Sequence, residues 1–273
     1  MPNASAQKGM ALLRSLVTEP QLTKCKSQID VEYRKLEMAR ERGGVEAATR
    51  LIAVGQRFVP TASSLTIGAV LSDETLQIVL AELDAGSAGA WIGNELGTGL
   101  ACDLDQAWVR RQYAPRNCPR FHAPHGWHQD GALGFDFLSH QHGTFPSDAL
   151  LPMVTVWIAL DSCGAEAPGL ELVTQRLETL LAPGDLTDDR VRARFAAAEF
   201  WRPVMQPGDA LLFRGDVLHR THVTPEMMKD RTSIEIRFFE ANKIPERLKG
   251  DRFINLTDSH ALSKLREASW NAR

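Results

Sequence analysis

The chain has 273 residues, of which 44% are hydrophobic and 7% aromatic, and its formal net charge is -3. This length and apolar content allow a sizeable buried core, in one barrel-sized domain or in two smaller ones. The small negative charge gives no electrostatic reason to expect nucleic acid or a membrane surface as a partner, and the few aromatic residues suggest no stacking platform for single strands.

The N-terminal part of the chain is predicted to be mainly helical. Glu, Lys, Arg, Ala and Leu recur at helical spacing over Leu22–Phe58, with an interruption at Gly43-Gly44, which predicts one long helix followed by a second. Ser64–Leu71 alternates like a strand, and Asp73–Leu83 is typical of a helix capped by Ser72 or Asp73. These helices either buttress a larger sheet, which is the simpler expectation, or form part of a substrate lid or a dimer interface.

From Trp91 onward the pattern changes to short strands separated by Gly, Pro and Asp, interrupted by a charged, alanine-rich helix at Thr187–Phe200. The predicted fold is therefore mainly β with flanking helices, a double-stranded β-helix of the jelly-roll, cupin-like type. We expect a single domain over residues 1–273, with a helical extension at 1–60, the β-helix body at 61–240 and a tail at 241–273.

The triplet His128-Gln129-Asp130 is a candidate metal-binding motif. Residues two apart on a strand point to the same face, so an extended Trp127–Gly131 would let His128 and Asp130 bind one ion while Gln129 points away. Such a triplet is common by chance and predicts little alone.

A third ligand must come from another strand. Downstream lie a turn, an apolar strand, a second turn and a short strand that ends in a histidine: Pro207-Gly208-Asp209, Ala210–Phe213, Arg214-Gly215-Asp216 and Val217–His219. His219 would complete a facial triad, whose open positions receive the cosubstrate and O₂ in non-haem Fe(II) oxygenases. His222 is an alternative third ligand.

Two arginines flank a predicted strand, Thr232–Ile236. A buried arginine near a metal suits a dicarboxylate cosubstrate, because its planar fork binds a carboxylate bidentately. On an extended strand Arg231, Ser233, Glu235 and Arg237 share one face, so both arginines could face the interior, with Glu235 neutralising one of them. We favour Arg231 as the carboxylate anchor, since a buried charge needs a partner and the cosubstrate would supply it.

Other chemistry-bearing residues give weaker signals. His140 and His142 have ligand spacing but lie in a predicted loop, Phe135–Ala149, where a solvated or substrate-facing pair is the simpler interpretation. The four cysteines are scattered and form no close pair. With no leader after Met1 and no long apolar run, a reducing, cytoplasmic location is expected.

Five segments, in this order, resemble the phytanoyl-CoA dioxygenase-like branch of the Fe(II)/2-oxoglutarate oxygenases. They are Trp127–Gly131, Val156–Asp161, Gly169–Val173, Pro207–His219 and Arg231. The resemblance runs from about Arg110 to Phe239, roughly half of the chain, and five ordered segments are far more specific than any one of them.

The resemblance implies a double-stranded β-helix that binds Fe(II) through His128, Asp130 and His219 and uses 2-oxoglutarate and O₂ as cosubstrates. It implies that Arg231 and Thr221 hold the distal carboxylate of 2-oxoglutarate. It also implies that Trp157 lines the same pocket and that Gln112 contributes a polar contact to the cosubstrate.

The activity implied is hydroxylation or desaturation of an unactivated C–H bond in a small metabolite, coupled to conversion of 2-oxoglutarate to succinate and CO₂. Asp130 stands where the related halogenases have glycine or alanine, which argues against halogenation. The substrate could be an amino acid, a natural-product intermediate or an acyl-CoA. For an acyl-CoA, the cluster Arg110, Arg111, Arg116 and Arg120 would meet the phosphates, although a solvated face explains these arginines equally well.

Two other classes of protein stay open at this point. A non-oxidative, isomerase-like metalloenzyme of the cupin type would keep the triad but would not need Arg231. A non-catalytic jelly-roll binding protein would need neither the metal nor the arginine. The expected partners are a small-molecule substrate and, if the N-terminal helices form an interface, a second copy of the chain in a homodimer.

Overall fold

The computed structural model describes residues 5–7, 9–52, 58–60, 64–68, 79–80, 82–83, 87–97, 100–103, 107–117, 124–134, 150–243 and 253–256. Within these residues two antiparallel sheets share an apolar core, and helices cover the outer face of the larger sheet. This is the predicted fold class, a mainly β jelly roll with flanking helices.

The strands of the described residues are short. In chain order they are β1 (Ser5–Gln7), β2 (Met10–Leu13), β3 (Phe58–Pro60), β4 (Ser64–Gly68), β5 (Leu100–Asp103), β6 (Trp108–Gln112), β7 (Met153–Ala159), β8 (Gly169–Val173), β9 (Phe200–Trp201), β10 (Ala210–Arg214), β11 (His219–His222), β12 (Arg231–Glu240) and β13 (Phe253–Leu256). The α-helices that the structure describes in full are α1 (Glu19–Ile52), α2 (Ser87–Leu96) and α3 (Asp188–Arg194).

Ten of these strands form the large sheet, in the order β1-β2-β10-β7-β12-β6-β4-β3, with β5 pairing to β12 and β13 to β5. The small sheet has the order β11-β8-β9. Strand β12 is central to the large sheet, because it pairs with β7 along one edge and with β6 and then β5 along the other. Its predicted part, Thr232–Ile236, lies within this longer strand.

Side chains of the central strands alternate between two buried environments. On β12, Ile234, Ile236 and Phe238 belong to the core beneath the helices, whereas Arg231 and Arg237 line a pocket between the two sheets. Because a strand has a side-chain period of two, one sequence can supply an apolar outer face and a charged inner face. The alternation therefore fixes which side chains can take part in chemistry.

Helix α1 packs on the outer face of the large sheet through one apolar stripe. Leu22, Cys25, Ile29 and Tyr33 are buried at spacings of three and four residues, as an amphipathic helix requires. The helix begins after Thr18, whose backbone N–H donates to the Gln21 side chain at 2.9 Å, the geometry of a capping box. The N-terminal helix therefore buttresses the sheet.

The predicted interruption at Gly43-Gly44 is wrong, because α1 continues through both glycines to Ile52. A glycine costs about 1 kcal/mol of helix stability but keeps its backbone hydrogen bonds, so it weakens a long helix without ending it. Strand β2 was not predicted at all. Its sequence, Met10–Leu13, is a four-residue apolar run that periodicity cannot assign, and it is a strand because it pairs with β10.

Two other boundaries differ from the sequence predictions. The predicted helix Thr187–Phe200 is limited to α3, because Phe195 turns to an extended conformation and ends it. Strand β11 begins at His219 instead of ending there. Of the predicted helix Asp73–Leu83, residues 79–80 and 82–83 are described and helical, and its cap lies outside the described residues. Among the described helices, none combines the length and apolar character needed to cross a bilayer.

The turn before β10 depends on Gly208. Its φ is +90°, and a Cβ atom there would lie 2.3 Å from the carbonyl oxygen of Val17. The Gly208 carbonyl accepts a hydrogen bond from the Val17 N–H at 3.1 Å, which joins the start of α1 to this turn. A side chain at this position would therefore strain the backbone and push the two segments apart.

We expect Gly208→Ala to lower the free energy of unfolding by about 1–3 kcal/mol, measured by chemical denaturation. Gly184→Ala is the matched control, since a Cβ at Gly184 meets no atom within 4 Å. Equal stability of the two variants would contradict the importance of this turn.

Candidate metal centre

Two backbone hydrogen bonds hold His128 opposite His219. The His128 N–H donates to the His219 carbonyl at 2.9 Å, and the His219 N–H donates back at 3.0 Å. His128 thus extends the edge of the small sheet by one residue pair. The ladder stops there, because Asp130 begins a 3-10 turn that runs to Gly134. The prediction that all of Trp127–Gly131 is extended is therefore wrong.

The cause of this turn is the close approach of two glycines. The Gly131 N–H donates to the Gly215 carbonyl at 2.8 Å, and a Cβ on Gly131 would lie 2.9 Å from that same oxygen. The turn carries Asp130 back toward the histidines, so the motif still points two side chains at one place. Gln129 points away, as predicted: its amide donates to the carbonyls of Thr179 and Asp216.

The side chains of His128, Asp130 and His219 form a three-residue cluster with metal-ligand chemistry. Their ligand atoms all lie within 4.8 Å of one another. The Asp130 Oδ1 lies 3.7 Å from His128 Nε2 and 3.8 Å from His219 Nε2. Neighbouring ligands around an ion with bonds of about 2.1 Å lie about 3 Å apart, so a small contraction would suffice to bind a divalent metal.

Both histidines present the same nitrogen to this point. His128 Nδ1 lies 2.8 Å from the Gly126 carbonyl oxygen, and His219 Nδ1 lies 3.0 Å from that of Val217. A carbonyl can only accept, so the proton sits on Nδ1 and Nε2 keeps its lone pair. Burial lowers the pKa of His128 well below its usual value, and His125 and His219 add to this effect. His128 is therefore neutral at neutral pH.

The two oxygens of Asp130 have different partners. Oδ1 faces the histidines, while Oδ2 accepts a hydrogen bond from the Thr155 hydroxyl and lies 3.5 Å from Arg237 Nη2. Burial alone would raise the pKa of Asp130, but the Arg237 guanidinium and the hydrogen bond from Thr155 favour the ionised form and lower that pKa. The carboxylate is therefore ionised, with one oxygen held by the protein and the other free for a metal.

One pocket joins the cluster to most of the other predicted site residues. Thr221, Trp157 and Arg231 line it together with the cluster. Thr221 shares the buried face of β11 with His219, whereas His222 lies on the other face, outside the cluster. Gln112 is buried opposite Arg231 in the strand pairing but does not line the pocket.

Arg231 is a buried cation without a carboxylate partner among the described residues. Its Nη1 donates to the Ser233 hydroxyl, its guanidinium lies 4.8 Å from the centre of the Trp157 ring, and its Nε has no hydrogen bond. Burial lowers the pKa of Arg231 to about 10, which leaves it charged at neutral pH. Arg237, the alternative anchor, already faces Asp130 and Glu235.

Sequence reasoning missed two polar residues of the pocket, Thr155 and His125. Thr155 lies opposite Arg237 in the pairing of β7 with β12, and His125 stacks on His128 with ring centres 3.9 Å apart. Thr155 could have been found only from the strand register, which the sequence does not reveal. His125 lies just before the motif in a stretch that contains Pro124, which favours a plain loop role.

The arginine cluster considered for acyl-CoA divides in the structure. Arg110 lines the pocket, whereas Arg111 points to helix α1 and pairs with Asp30 and Glu37. Arg116 is exposed. Arg120, His140 and His142 lie outside the described residues.

A jelly roll that directs two histidines and one carboxylate into a pocket has the ligand set of the mononuclear facial-triad metalloenzymes. Residues 6–224 match the phytanoyl-CoA dioxygenase (PhyH) family, and the chain belongs to this family. The matched segment contains the whole His-Asp-His cluster and ends before Arg231. Arg231 nevertheless lines the same pocket as the cluster.

Solved structures with the same fold include enzymes crystallised with 2-oxoglutarate. They are the epimerase SnoN from nogalamycin biosynthesis with Fe³⁺, alpha ketoglutarate and nogalamycin RO (16% identity, 90% of this chain and 93% of that chain, TM-score 0.54); EctD from S. alaskensis with 2-oxoglutarate and 5-hydroxyectoine (14%, 87% and 74%, 0.54); and HygX from Streptomyces hygroscopicus with nickel, 2-oxoglutarate and hygromycin B (12%, 94% and 95%, 0.51). A search of curated proteins finds no match.

The Thr155 hydroxyl gives a test of the cluster. We expect Thr155→Val to weaken binding of Co(II) roughly tenfold, because an outer hydrogen bond that orients a ligand typically contributes that much. A competition titration against a fluorescent chelator measures it. Thr23→Val, on the exposed side of α1, should bind Co(II) like the parent protein. Unchanged affinity in Thr155→Val would show that this hydroxyl does not orient Asp130.

Proposed function

We propose that this protein is an Fe(II)- and 2-oxoglutarate-dependent oxygenase that oxidises an unactivated C–H bond of a small molecule. The observation that carries the proposal is a combination within one pocket: a metal-ligand cluster and, lining the same space, the buried and uncompensated cation Arg231. Membership of the phytanoyl-CoA dioxygenase family supports the same reaction class.

The cluster fits a ferrous ion on chemical grounds. Two neutral imidazoles and one carboxylate are the donor set of the non-haem Fe(II) oxygenases, and they leave room for further ligands on the opposite side. His128, Asp130 and His219 would hold the ion through Nε2, Oδ1 and Nε2. The carbonyls of Gly126 and Val217 and the Thr155 hydroxyl already fix the orientation of these side chains.

The pocket also fits a dicarboxylate. A buried guanidinium with no counter-ion is costly, so an anion that pairs with Arg231 binds with a large favourable free energy. Trp157 covers one face of this guanidinium, which leaves its edge for in-plane hydrogen bonds to a carboxylate. Thr221 adds a hydroxyl on the same wall. These three residues would bind the distal carboxylate of 2-oxoglutarate.

Once bound, Fe(II) and 2-oxoglutarate supply an O₂-derived oxidant for C–H cleavage, with release of succinate and CO₂. The protein's own residues bind, orient and exclude water. Phe213 packs on the His219 ring, with ring centres 4.6 Å apart, and Leu170 closes the same wall of the pocket. These apolar side chains keep the His219 ring in place and limit solvent at the reacting centre.

We propose that the substrate is hydroxylated. Desaturation is the alternative outcome of C–H cleavage. Asp130 fills a ligand position that halogenation would need to be open. The solved neighbours include an epimerase and a carbocyclase as well as EctD, so this fold serves several reactions. The fate of the C–H bond therefore depends on how the substrate is held, which is a property of the individual pocket.

We expect Arg231→Gln to weaken 2-oxoglutarate binding at least roughly 30-fold, because removal of one partner from a buried charge pair costs about 2–5 kcal/mol. Isothermal titration of the anaerobic Fe(II) protein measures this. Co(II) affinity should be unchanged, and the thermal midpoint should not fall, since the variant also removes an unpaired buried charge. Arg190→Gln, at an exposed arginine, is the matched control.

These measurements also separate the alternatives. A non-oxidative metalloenzyme of the same fold would bind Fe(II) but show no dependence on Arg231. A binding protein without a metal would fail to retain Fe(II), with no change in His128→Ala. Loss of 2-oxoglutarate affinity in Arg231→Gln, with metal binding intact, is the result that only the proposed function gives.

Addition of 2-oxoglutarate to the anaerobic Fe(II) protein should produce the weak visible charge-transfer band of a chelated keto acid. We expect Asp130→Ala to weaken this band, because the ion loses its only anionic protein ligand. Visible spectroscopy records the band, and succinate release under air records turnover of the cosubstrate. The absence of any band in the parent protein would contradict the oxygenase assignment.

A further inference from the structure

A second cationic group faces the pocket beside the metal cluster. Glu235 lies between two arginines: its Oε1 is 3.3 Å from Arg110 Nε, and its Oε2 is 3.7 Å from Arg237 Nη2. Arg110 also reaches His125, with 3.4 Å between Nη1 and Nδ1. All four residues line the same pocket as the metal cluster. We call Arg110, Glu235 and Arg237 the second arginine group.

Several donors of this group form no hydrogen bond among the described residues, although Arg110 Nε lies 3.3 Å from the Glu235 carboxylate. Arg237 is 4% exposed, and its Nε and Nη1 have no hydrogen-bond partner among the described residues. The Nε of Arg110 is also buried without a hydrogen bond. Buried N–H groups of this kind are rare in folded proteins, because each one costs the desolvation that a partner would recover. These donors belong to residues that line the pocket, so they would stabilise an acceptor bound beside them.

The surroundings of Arg237 leave two of its donors for an anion. The Trp108 ring covers one face of the Arg237 guanidinium at 4.7 Å from the ring centre. Stacking still permits in-plane hydrogen bonds, and Nε and Nη1, which lie on different edges of the guanidinium, have no hydrogen-bond partner among the described residues. Each of them can donate one charge-assisted hydrogen bond to a carboxylate oxygen.

The charge of the pocket points to the same class of ligand. Its wall carries three arginines, Arg110, Arg231 and Arg237, against two carboxylates, Asp130 and Glu235. Fe(II) and the dianion 2-oxoglutarate have opposite charges of equal size, so loading them leaves this excess of one positive charge. A buried site with one uncompensated positive charge selects a monoanion over a neutral molecule or a cation.

We propose that Arg110 and Arg237 bind the carboxylate of the substrate, and that the substrate is a small carboxylic acid. This proposal rests on the proposed function, because it assumes that the metal and 2-oxoglutarate occupy the rest of the pocket. Arg237 also contacts the metal ligand Asp130. The carboxylate therefore anchors the substrate beside the metal, and the C–H bond presented for oxidation lies a few bonds from it.

The two arginine sites are separate. Arg231 and Arg237 are six residues apart on β12, about 20 Å between their Cα atoms at the usual rise of a strand. Arg231 is held by Ser233 and Trp157, while Arg237 is held by Trp108, Glu235 and Asp130. Arg231 and Arg237 therefore have different direct partners, so one can bind the cosubstrate while the other binds the substrate. Arg110 lies opposite Ser233 in the strand pairing and also acts electrostatically on Arg231.

The test uses matched pairs of small aromatic and aliphatic acids and their primary amides, with methyl phosphate as a further anion. Ligand-observed NMR screens them against the full-length Zn(II) protein saturated with 2-oxoglutarate, so that the metal and Arg231 are already occupied. We expect the acids to bind. The affinity of the matching amides should be lower by a factor of roughly ten or more. Methyl phosphate, a dianion near pH 8, should bind more weakly than the acids.

Arg110→Gln tests the residues directly, because Arg110 contacts no metal ligand. It should reduce acid affinity roughly tenfold, leave amide affinity unchanged and keep 2-oxoglutarate binding, while Arg190→Gln should leave all three unchanged. Equal binding of acids and amides, or an acid preference that survives in Arg110→Gln, overturns the subsite. If methyl phosphate binds more tightly than the carboxylic acids, the proposal that the subsite binds a carboxylate is overturned. Failure of the parent protein to bind 2-oxoglutarate at all overturns the proposed function and the subsite with it.

Discussion

The structure of the site depends on two backbone hydrogen bonds, those between His128 and His219. They join a loop that carries two candidate ligands to the strand that carries the third. Because the bonds are between main-chain atoms, they set the distance between the two histidines without involving the side chains. The imidazoles are then free to be oriented by the carbonyls of Gly126 and Val217. The same small sheet positions Thr221 in the pocket.

The inner face of β12 gives the site its electrostatic character. A strand buried on both faces usually carries apolar side chains on each, and here one face has Arg231, Ser233, Glu235 and Arg237 instead. The helices need only the outer face, so the fold tolerates this arrangement. Charges held between two sheets interact strongly, since little water screens them. Such a wall strongly prefers anionic ligands.

Short-range patterns in the sequence predicted much of this. Period-two alternation identified the strand around Thr232–Ile236, and turn residues identified the segment before His219. The sharing of one face by Arg231 and Arg237 followed from the same rule. Such patterns failed where pairing between distant segments determines the structure. Strand β2 is a strand only because it pairs with β10. Thr155 contacts Asp130 only because of the order of strands in the sheet. They also failed at Gly131, where a close backbone contact bends the chain.

The position of the cluster at the junction of distant segments has a consequence for folding. His128 and His219 come together only when the loop before β7 and the strand after β10 have both been placed, so the site depends on contacts between segments far apart in the sequence. A metal bound there would bind the native chain and not the unfolded one, and would therefore stabilise the folded state. The supply of metal would then influence how long the folded protein survives.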